Sequence, residues 1–417
     1  MRIGRTLPPA AAPIPWRNIF GAASYIFNNS PEHLKKLETE LKSYFDTKHC
    51  FLVSSGKAAL TLILESLQDI SPGKDEVLIP AFTCFSVPAA IRKAGLHIKL
   101  CDMGADSLDF DQKTLGNIAE EEQQEKKLLC VIPTHLFGFP ADVESCRNVF
   151  ADDVIIVEDA AQAMGNEMQG KKLGTIGDIG FFSLGRGKPL STMEGGIIVT
   201  NRDDLAQAIK KRIQSLPEYG TIDKFQLFIK ALLTTLLQNP SLFWLPKSLP
   251  FLHLGETIYD PDFTIKKLSS LHAALAHNWQ SRLTRHQGIR KSNVSRFLNF
   301  DQSEPKSIFH SSPADAPSLI RLPIMVKDRA TANEIINSAS RQGLGIMPTY
   351  PAPISEISEI KDFFHGEHYP RAKRLSDQLA TVPTHEYMEK KDYKNIHTLF
   401  DTNFPTSEQE KFFRRLS

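Results

Sequence analysis

The sequence predicts an α/β fold in which a mostly parallel sheet is covered by helices on both faces. Short apolar runs typical of strands alternate with segments whose apolar residues recur at i, i+3, i+4 and i+7. Strands that alternate with helices in this way favour parallel pairing, which buries both faces of the sheet. The chain is also large enough, because 417 residues with 41% hydrophobic and 23% charged residues suffice for two or three globular domains.

The first elements are a helix followed by a strand–turn–helix unit. Pro31 suits the first position of a helix, and apolar residues at helical spacing follow it, which predicts a helix over 31–45. The apolar run 49–53 predicts a strand, the polar triplet 54–56 a tight turn, and the apolar spacing over 60–67 a second helix.

The same alternation continues through the next 150 residues. Further strands are predicted at 76–80, 97–101, 128–133 and 154–158, with helices near 86–94 and 141–148. Two more apolar runs, 179–184 and 196–200, flank a glycine-rich loop that contains a lysine. The separation of these two runs is too short for a helical crossover.

The pattern changes in the second half of the chain. A strongly apolar stretch covers 225–252, although no run reaches the roughly 18 apolar residues that a membrane span needs. A long helix near 264–298, a strand over 319–326 and a helix ending at Gly343 then predict an α+β region. The expected domains are an N-terminal strap (1–26) whose proline-rich beginning is extended, a large domain (27–260) with an apolar helical insertion near 220–258, and a small domain (261–417).

Charge and cysteine content narrow the class of protein. Lys plus Arg number 49 against 48 for Asp plus Glu, so the net charge of +1 offers no electrostatic basis for binding nucleic acid. The five cysteines have no metal-ligand spacing and lie mostly in apolar runs, which indicates reduced core thiols in a cytoplasmic protein. Prolines interrupt the N-terminal segment, so we do not expect a signal peptide there. No metal site is predicted.

The stretch 154–162 carries the most chemical information. It places Asp159 at the carboxyl end of a strand, where ligands bind in open α/β sheets, and follows it with two alanines that would let a planar ring lie close to the backbone. Lys188 follows 29 positions later, on the loop between two apolar strands. Pyridoxal 5'-phosphate needs a lysine amine and an acid that keeps its ring nitrogen protonated, so this pair suits that cofactor.

The ordered motifs resemble those of the DegT/DnrJ/StrS family, pyridoxal phosphate-dependent sugar aminotransferases of fold type I. The resemblance covers most of residues 30–215 and resumes in the second half of the chain. Its motifs are SGKAAL (55–60), HLFGFPAD (135–142), EDAAQ (158–162), GD (177–178), FS (182–183), Lys188 with EGG (194–196), LSSLHAAL (268–275), Tyr350-Pro351 and VPTH (382–385).

The resemblance implies roles for four residues. Lys188 is expected to form the Schiff base with the cofactor and to shuttle the proton, and Asp159 to pair with the ring nitrogen. Gln162 is expected near the cofactor hydroxyl and Ser183 on the phosphate, although both side chains could instead be local caps.

The start of the helix after residue 55 is a further candidate site. Ser55, Gly56 and the free amides of the first turn form an anion site, to which Lys57 could add an ammonium group. A cation is unfavourable at this end of a helix, and a phosphate would offset that cost. The alternative is a solvated lysine whose side chain points away.

Several positions depart from the family pattern. Lys57 stands where threonine is usual, and Cys84 followed by Phe85 stands where a ring-stacking aromatic is expected, so Phe85 is the candidate for stacking on the cofactor. Arg186 is either a replacement for a phosphate-binding asparagine that the family often supplies from the partner subunit or a plain surface arginine. His135 is either a structural histidine or a substrate contact.

The resemblance implies a ping-pong aminotransferase, in which an amino acid such as glutamate donates an amino group to a nucleotide-linked keto sugar for polysaccharide or related biosynthesis. Two alternatives remain open: another pyridoxal phosphate reaction or a non-sugar acceptor, and a binding or regulatory protein without catalysis. Lys188 argues against the dehydratases of the family, which have histidine at this position. A homodimer is expected, and the 225–252 stretch is either a buried or dimer surface or a contact with a membrane face or lipid-linked substrate.

Overall fold

The structure is a computed structural model, and it describes residues 3–105, 107–249, 254–255, 257–298, 317–364 and 366–401. Its main feature is a sheet of seven strands. In chain order these are β1 (His49–Val53), β2 (Glu76–Pro80), β3 (His97–Cys101), β4 (Leu128–Val131), β5 (Ile155–Asp159), β8 (Ile179–Ser183) and β9 (Gly196–Thr200), with the small hairpin β6 (Glu167–Met168) and β7 (Lys171–Lys172) before β8.

The sheet confirms the predicted α/β class. Its spatial order is β1-β9-β8-β5-β4-β2-β3, and every neighbouring pair is parallel except the two that involve β9, which runs antiparallel to both β1 and β8. Because β1 and β8 both oppose β9, they share the direction of the parallel strands. The carboxyl ends of β1, β8 and β5 therefore meet at one edge, which is where the predicted site residues are concentrated.

Helices cover this sheet and extend beyond it. Those of the first half are α1 (Trp16–Ala22), α2 (Pro31–Phe45), α3 (Gly56–Ile70), α4 (Ser86–Lys93), α5 (Gln112–Glu125), α6 (Val143–Val149), α7 (Asp203–Gln214), α8 (Thr221–Leu237) and α9 (Trp244–Lys247). Neither α5 nor α7 was expected from the sequence, although Asp111 caps α5 by accepting a hydrogen bond from the Thr114 amide at 3.0 Å.

The C-terminal part has its own small sheet. The antiparallel strands β10 (Arg321–Met325), β11 (Met347–Pro348) and β12 (Leu379–Pro383) follow the spatial order β10-β12-β11. The helices of this part are α10 (Ser270–Leu275), α11 (Trp279–Leu298), α12 (Arg329–Gln342), α13 (Pro370–Gln378) and α14 (Lys390–Asp401).

The single long helix predicted near 264–298 is wrong. Residues 257–269 form no helix, and the helical region divides into α10 and α11 at Asn278, whose φ of 55° is left-handed. The carbonyl of Leu275 at the end of α10 accepts hydrogen bonds from Asn18 Nδ2 at 3.3 Å and Arg282 Nη1 at 2.7 Å, which satisfies this helix end without a continuing turn.

The segment expected to be an N-terminal strap (1–26) has two parts. The proline-rich part up to Pro15 has no regular structure, whereas α1 and a short 3₁₀ helix (Ala23–Ile26) follow it. The prolines that prevent helix formation end at Pro15, so nothing in the following sequence opposes a helix. The strap is anchored, because Leu7, Ala11 and Ile14 are buried.

The apolar stretch that begins at 225 is largely the helix α8. One face of α8 packs against α1 through Leu227 and Ala231, whereas Phe225, Leu233 and Leu236 are exposed on the other side. Residues 250–252 lie outside the described part of the chain. Within that part, none of the helices combines the length and apolar character required to cross a membrane.

The cysteines are free thiols, as predicted. Four of them are buried and Cys84 is partly exposed.

Candidate active site

The centre of the candidate site is Asp159, the last residue of the central strand β5. Its carboxyl group is buried, and Oδ1 accepts a hydrogen bond from the Ala161 amide at 3.0 Å. Burial raises the pKa of Asp159, while the Ala161 amide and the charge of Lys188 act in the opposite direction. The electrostatic effect of Lys188 on this carboxyl group shows that the structure brings the two predicted catalytic residues into the same site.

Lys188 lies on the loop 185–192, and two arginines of α11 bind the backbone of that loop. Arg290 Nη1 donates to the Pro189 carbonyl at 3.0 Å, and Nη2 donates to the Lys188 carbonyl at 3.3 Å. Arg282 Nη2 donates to the Ser191 carbonyl at 3.0 Å. Both arginines are buried, so their hydrogen bonds hold the backbone at Lys188 and in the three residues after it.

The strap passes over the same loop. Arg290 Nη2 also donates to the Ala11 carbonyl at 3.3 Å, and a Cβ added to Gly187 would lie 3.2 Å from that of Ala10. His385 Nε2 donates to the Pro8 carbonyl at 2.7 Å, which fixes the strap from the other side. The strap, the lysine loop and α11 therefore form one hydrogen-bonded unit.

Ser55, Gly56 and Ser183 lie together at the start of α3. Ser55 caps this helix by accepting a hydrogen bond from the Ala58 amide at 3.0 Å, and a Cβ added to Gly56 would lie 2.9 Å from the Cβ of Ser183. A larger residue at 56 would therefore displace Ser183. The close approach places the Ser183 hydroxyl beside the amides of a helix N-terminus, an arrangement that suits an anion.

Gln162, in the turn that follows Asp159, forms hydrogen bonds to two aromatic residues. Its Oε1 accepts a hydrogen bond from the Phe137 amide at 3.1 Å, and its Nε2 donates to the Tyr350 hydroxyl at 2.9 Å. Phe137 has a left-handed φ of 59°, and this amide contact contributes to holding that conformation. Tyr350 was quoted in the sequence motifs without a role, and the structure adds it to the site.

His135 has a structural position. Its ring has no exposed surface, Nδ1 accepts a hydrogen bond from the Ala141 amide at 2.9 Å, and Nε2 therefore carries the proton donated to Glu158 at 2.9 Å. With both nitrogens occupied, the geometry supports a structural histidine, the first of the two roles left open for it.

Lys57 has a partner other than the candidate anion site. Its Nζ lies 2.9 Å from a carboxylate oxygen of Asp260 and 4.4 Å from the ring centre of Phe263. This ion pair offsets the unfavourable charge in the first turn of α3. The role of Lys57 toward a phosphate stays a prediction.

Phe85 and Arg186 occupy different environments. Phe85 is buried in the main core at the start of α4, while its neighbour Cys84 is partly exposed. Arg186 is exposed on the lysine loop, where its charge acts on the partly buried Glu194. Neither position by itself decides whether the residue contacts a ligand.

Arg321, at the start of β10, neighbours Tyr350 and was not singled out from the sequence. Its burial lowers the pKa of its guanidinium group to about 10, an effect that the neighbouring Tyr350 opposes. An arginine in an apolar run is a detectable signal, but the sequence alone does not show which face of the strand it occupies.

Comparison with known proteins assigns the chain to a family. The family model of the DegT/DnrJ/EryC1/StrS aminotransferase family matches residues 23–400, so the chain belongs to this family, and the predicted family and fold class are confirmed. The activity class predicted from the sequence is the one after which the family is named.

Individual relatives are more distant. A GDP-perosamine synthase of Vibrio cholerae is 31% identical over 41% of this chain and 45% of its own length, so the match spans under half of that relative. A dTDP-3-amino-3,4,6-trideoxy-alpha-D-glucose transaminase of Streptomyces venezuelae is 25% identical over 86% of this chain and 83% of its own length.

A solved structure supports the fold. The GDP-4-keto-6-deoxy-D-mannose-3-dehydratase of E. coli, solved with bound hydrated PLP, has a TM-score of 0.70 and 19% sequence identity, and covers 95% of this chain and 99% of its own. At this identity the likeness establishes the architecture alone.

Proposed function

We propose that this chain is a pyridoxal phosphate-dependent aminotransferase that transfers an amino group from an amino acid to a keto sugar. The observation that carries the proposal is the shared location of Asp159 and Lys188, where the lysine charge acts on a buried carboxyl group at the end of the central strand. Family membership supports the same reaction class.

The residues present fit the cofactor. Gly56 leaves room beside Ser183 that a Cβ would fill, which suits a phosphate group at the start of α3. Asp159 is the buried acid for the ring nitrogen. Gln162 is the candidate for the ring hydroxyl, because its Nε2 has a second N–H besides the one that it donates to Tyr350. Phe85 is retained as the candidate stacking residue, with Ser55 and Lys57 as candidate phosphate contacts.

When bound, pyridoxal phosphate supplies an electron sink for the carbanion of the substrate. The contribution of this chain is to hold Lys188 Nζ over the site and to let it accept and return the substrate proton. Asp159 stabilises positive charge at the ring nitrogen, and the clamped loop 185–192 limits the positions that Nζ can reach.

Glutamate is the proposed donor, and a nucleotide-linked keto sugar the proposed acceptor. The names of the Vibrio and Streptomyces relatives support a nucleotide sugar. Lys188 distinguishes this chain from a dehydratase, which is expected to have histidine there. A different acceptor and a member without catalysis remain the competing functions.

The first experiment combines glutamate with cofactor-loaded protein and follows the visible spectrum. The wild type should convert glutamate, and Lys188→Ala should lose both this turnover and the visible absorption band that depends on the lysine. Lys171→Ala is a matched control, because Lys171 is exposed and its nearest carboxylate partner is Glu144, at 3.5 Å. A borohydride-reducible adduct at another lysine in Lys188→Ala would show that the assignment is wrong.

We also propose a cytoplasmic homodimer. The exposed apolar residues Phe225, Leu233 and Leu236 of α8 lie on a helix that packs against α1, where Trp16 and Phe20 are exposed as well. A second copy of the chain would cover this surface. A fully active monomer in sedimentation experiments would contradict the dimer, and binding of the protein to lipid vesicles would favour the alternative of a membrane contact.

A further inference from the structure

The guanidinium group of Arg321 has an unusual environment. Its Nε and Nη2 are buried and have no hydrogen-bond partner within the part of the chain that the structure describes, although the residue as a whole is partly exposed. By contrast, Arg290 donates to three carbonyl groups. Nε and Nη2 form the edge of the guanidinium fork that binds a carboxylate through two parallel hydrogen bonds.

A buried cation without an acceptor is costly. Removing a charged group from water is offset only when an opposite charge or several acceptors replace the lost hydration. The neighbour that opposes the lowered pKa of Arg321 is the hydroxyl of Tyr350, which is neutral at physiological pH. The missing acceptor is therefore expected to be an anion that is not part of the described chain.

Arg321 belongs to the candidate active site by its position. The residue before it, Ile320, donates its amide to the Phe137 carbonyl at 3.0 Å, and the Phe137 amide binds Gln162. Gln162 in turn binds Tyr350. This network joins the start of β10 to the segment that follows Asp159. Arg321 is therefore connected to Gln162 and not to the candidate phosphate site at the start of α3.

We propose that Arg321 binds the carboxylate of the amino donor through Nε and Nη2. This inference rests on the proposed aminotransferase function. A carboxylate matches the two free nitrogens, and the phosphate-type site of Ser55, Gly56 and Ser183 is built from other strands. Arg321 would thus anchor the donor by its carboxylate, a group that the keto acceptor need not have.

The test measures binding of succinate, a dicarboxylate that lacks an amino group, to the cofactor-loaded protein by calorimetry. Arg321→Gln should weaken succinate binding roughly 100-fold, the effect expected from losing a charge-assisted pair, and Arg321→Lys should restore part of it. Arg329→Gln is the control, because Arg329 is exposed at the start of α12 and should leave binding unchanged.

Thermal unfolding of the cofactor-free protein provides the second measurement. Because Arg321 is an uncompensated buried charge, Arg321→Gln should leave the Tm unchanged or raise it. A structural role predicts a lower Tm. A lower Tm together with wild-type succinate binding would overturn the proposal.

Two further outcomes separate this proposal from others. If Arg321→Gln keeps succinate binding but loses binding of GDP or dTDP, the acceptor phosphate is the ligand and the proposal is wrong. If the wild type binds succinate in an Arg321-dependent way but does not convert glutamate, the proposed function fails while the carboxylate site stands. If the wild type does not bind succinate, the carboxylate site is refuted.

Discussion

Replacing Arg290 should destabilise the protein and loosen the lysine loop. The guanidinium group of Arg290 is buried and binds the carbonyl oxygens of Pro189, Lys188 and Ala11 at 3.0, 3.3 and 3.3 Å. In Arg290→Met the side chain keeps much of its volume but offers no donor. Three carbonyl groups would then lose the hydrogen bond that Arg290 provides; the bonds to Pro189 and Ala11 are buried, and the bond to Lys188 is part-buried.

The magnitude follows from two opposing contributions. Each buried polar group left without a partner costs about 1–3 kcal/mol, so three carbonyls give an upper bound of about 9 kcal/mol. The two bonds at 3.3 Å are long, and methionine removes the cost of burying a charge, so we expect a net loss of about 3 kcal/mol. Arg290→Lys, which has one compact donor group, should lose less.

The assay is urea unfolding of the cofactor-free protein. Arg285→Met is the matched control on the same helix, because Arg285 is exposed and pairs with Glu386, an interaction worth at most about 1 kcal/mol. Limited trypsin digestion reports the loop directly, since Arg186 is an exposed cleavage site within it. Cleavage at Arg186 should be faster in Arg290→Met than in either the wild type or the control.

Two results together would refute this reasoning: an unfolding midpoint of Arg290→Met equal to that of Arg285→Met, and cleavage at Arg186 at the wild-type rate. The carbonyl contacts would then contribute neither to stability nor to the position of Lys188.

Three further predictions concern other buried or paired charges. Asp159→Asn should weaken cofactor binding and reduce turnover. It should also stabilise the cofactor-free protein at neutral pH, because the pKa of Asp159 is raised in the folded state and its ionisation therefore costs stability as the pH rises. Unchanged turnover and cofactor affinity would show that Asp159 is only a turn residue. Lys57→Ala and Asp260→Asn should each change unfolding free energy by less than about 1 kcal/mol, and only Lys57→Ala should weaken cofactor retention on dialysis if Lys57 contacts the phosphate. Stability should fall steeply as pH drops from about 6.5 to 4, by up to about 4 kcal/mol per pH unit, because unfolding lets three buried histidines bind protons. The histidines are His272, His286 and His385, whose pKa values burial lowers to about 3, 3 and 4. A urea unfolding midpoint that stays constant over this pH range would contradict that expectation.

The strand ends of the site were predictable from the sequence because they depend on local patterns. The apolar run that ends at Asp159 and the polar triplet before α3 each indicate the end of a strand, and this local signal does not depend on the tertiary contacts around it. Parallel strands then bring Asp159 and Ser183 to the same edge, so their proximity follows from the fold class.

The elements that were missed depend on interactions distant in sequence. The break between α10 and α11 has no proline or glycine, and its signal is Asn278, which tolerates a left-handed conformation. The structure completes that break with Asn18 from the strap, a contact across 257 positions. Periodicity within α11 could not reveal this contact, because hydrophobic spacing describes only one helix at a time.

The buried arginines show why residue type alone does not indicate function. Charged residues at helical spacing are normally interpreted as a solvated face, yet Arg282 and Arg290 are buried and bind carbonyl groups of the lysine loop. Their acceptors are supplied by the fold, so their role is to position the loop. Arg321 is the same residue type with two buried nitrogens that the described chain leaves unpaired, and this difference assigns it to a ligand rather than to the scaffold. Because the acceptors come from distant segments, only the three-dimensional structure separates the two roles.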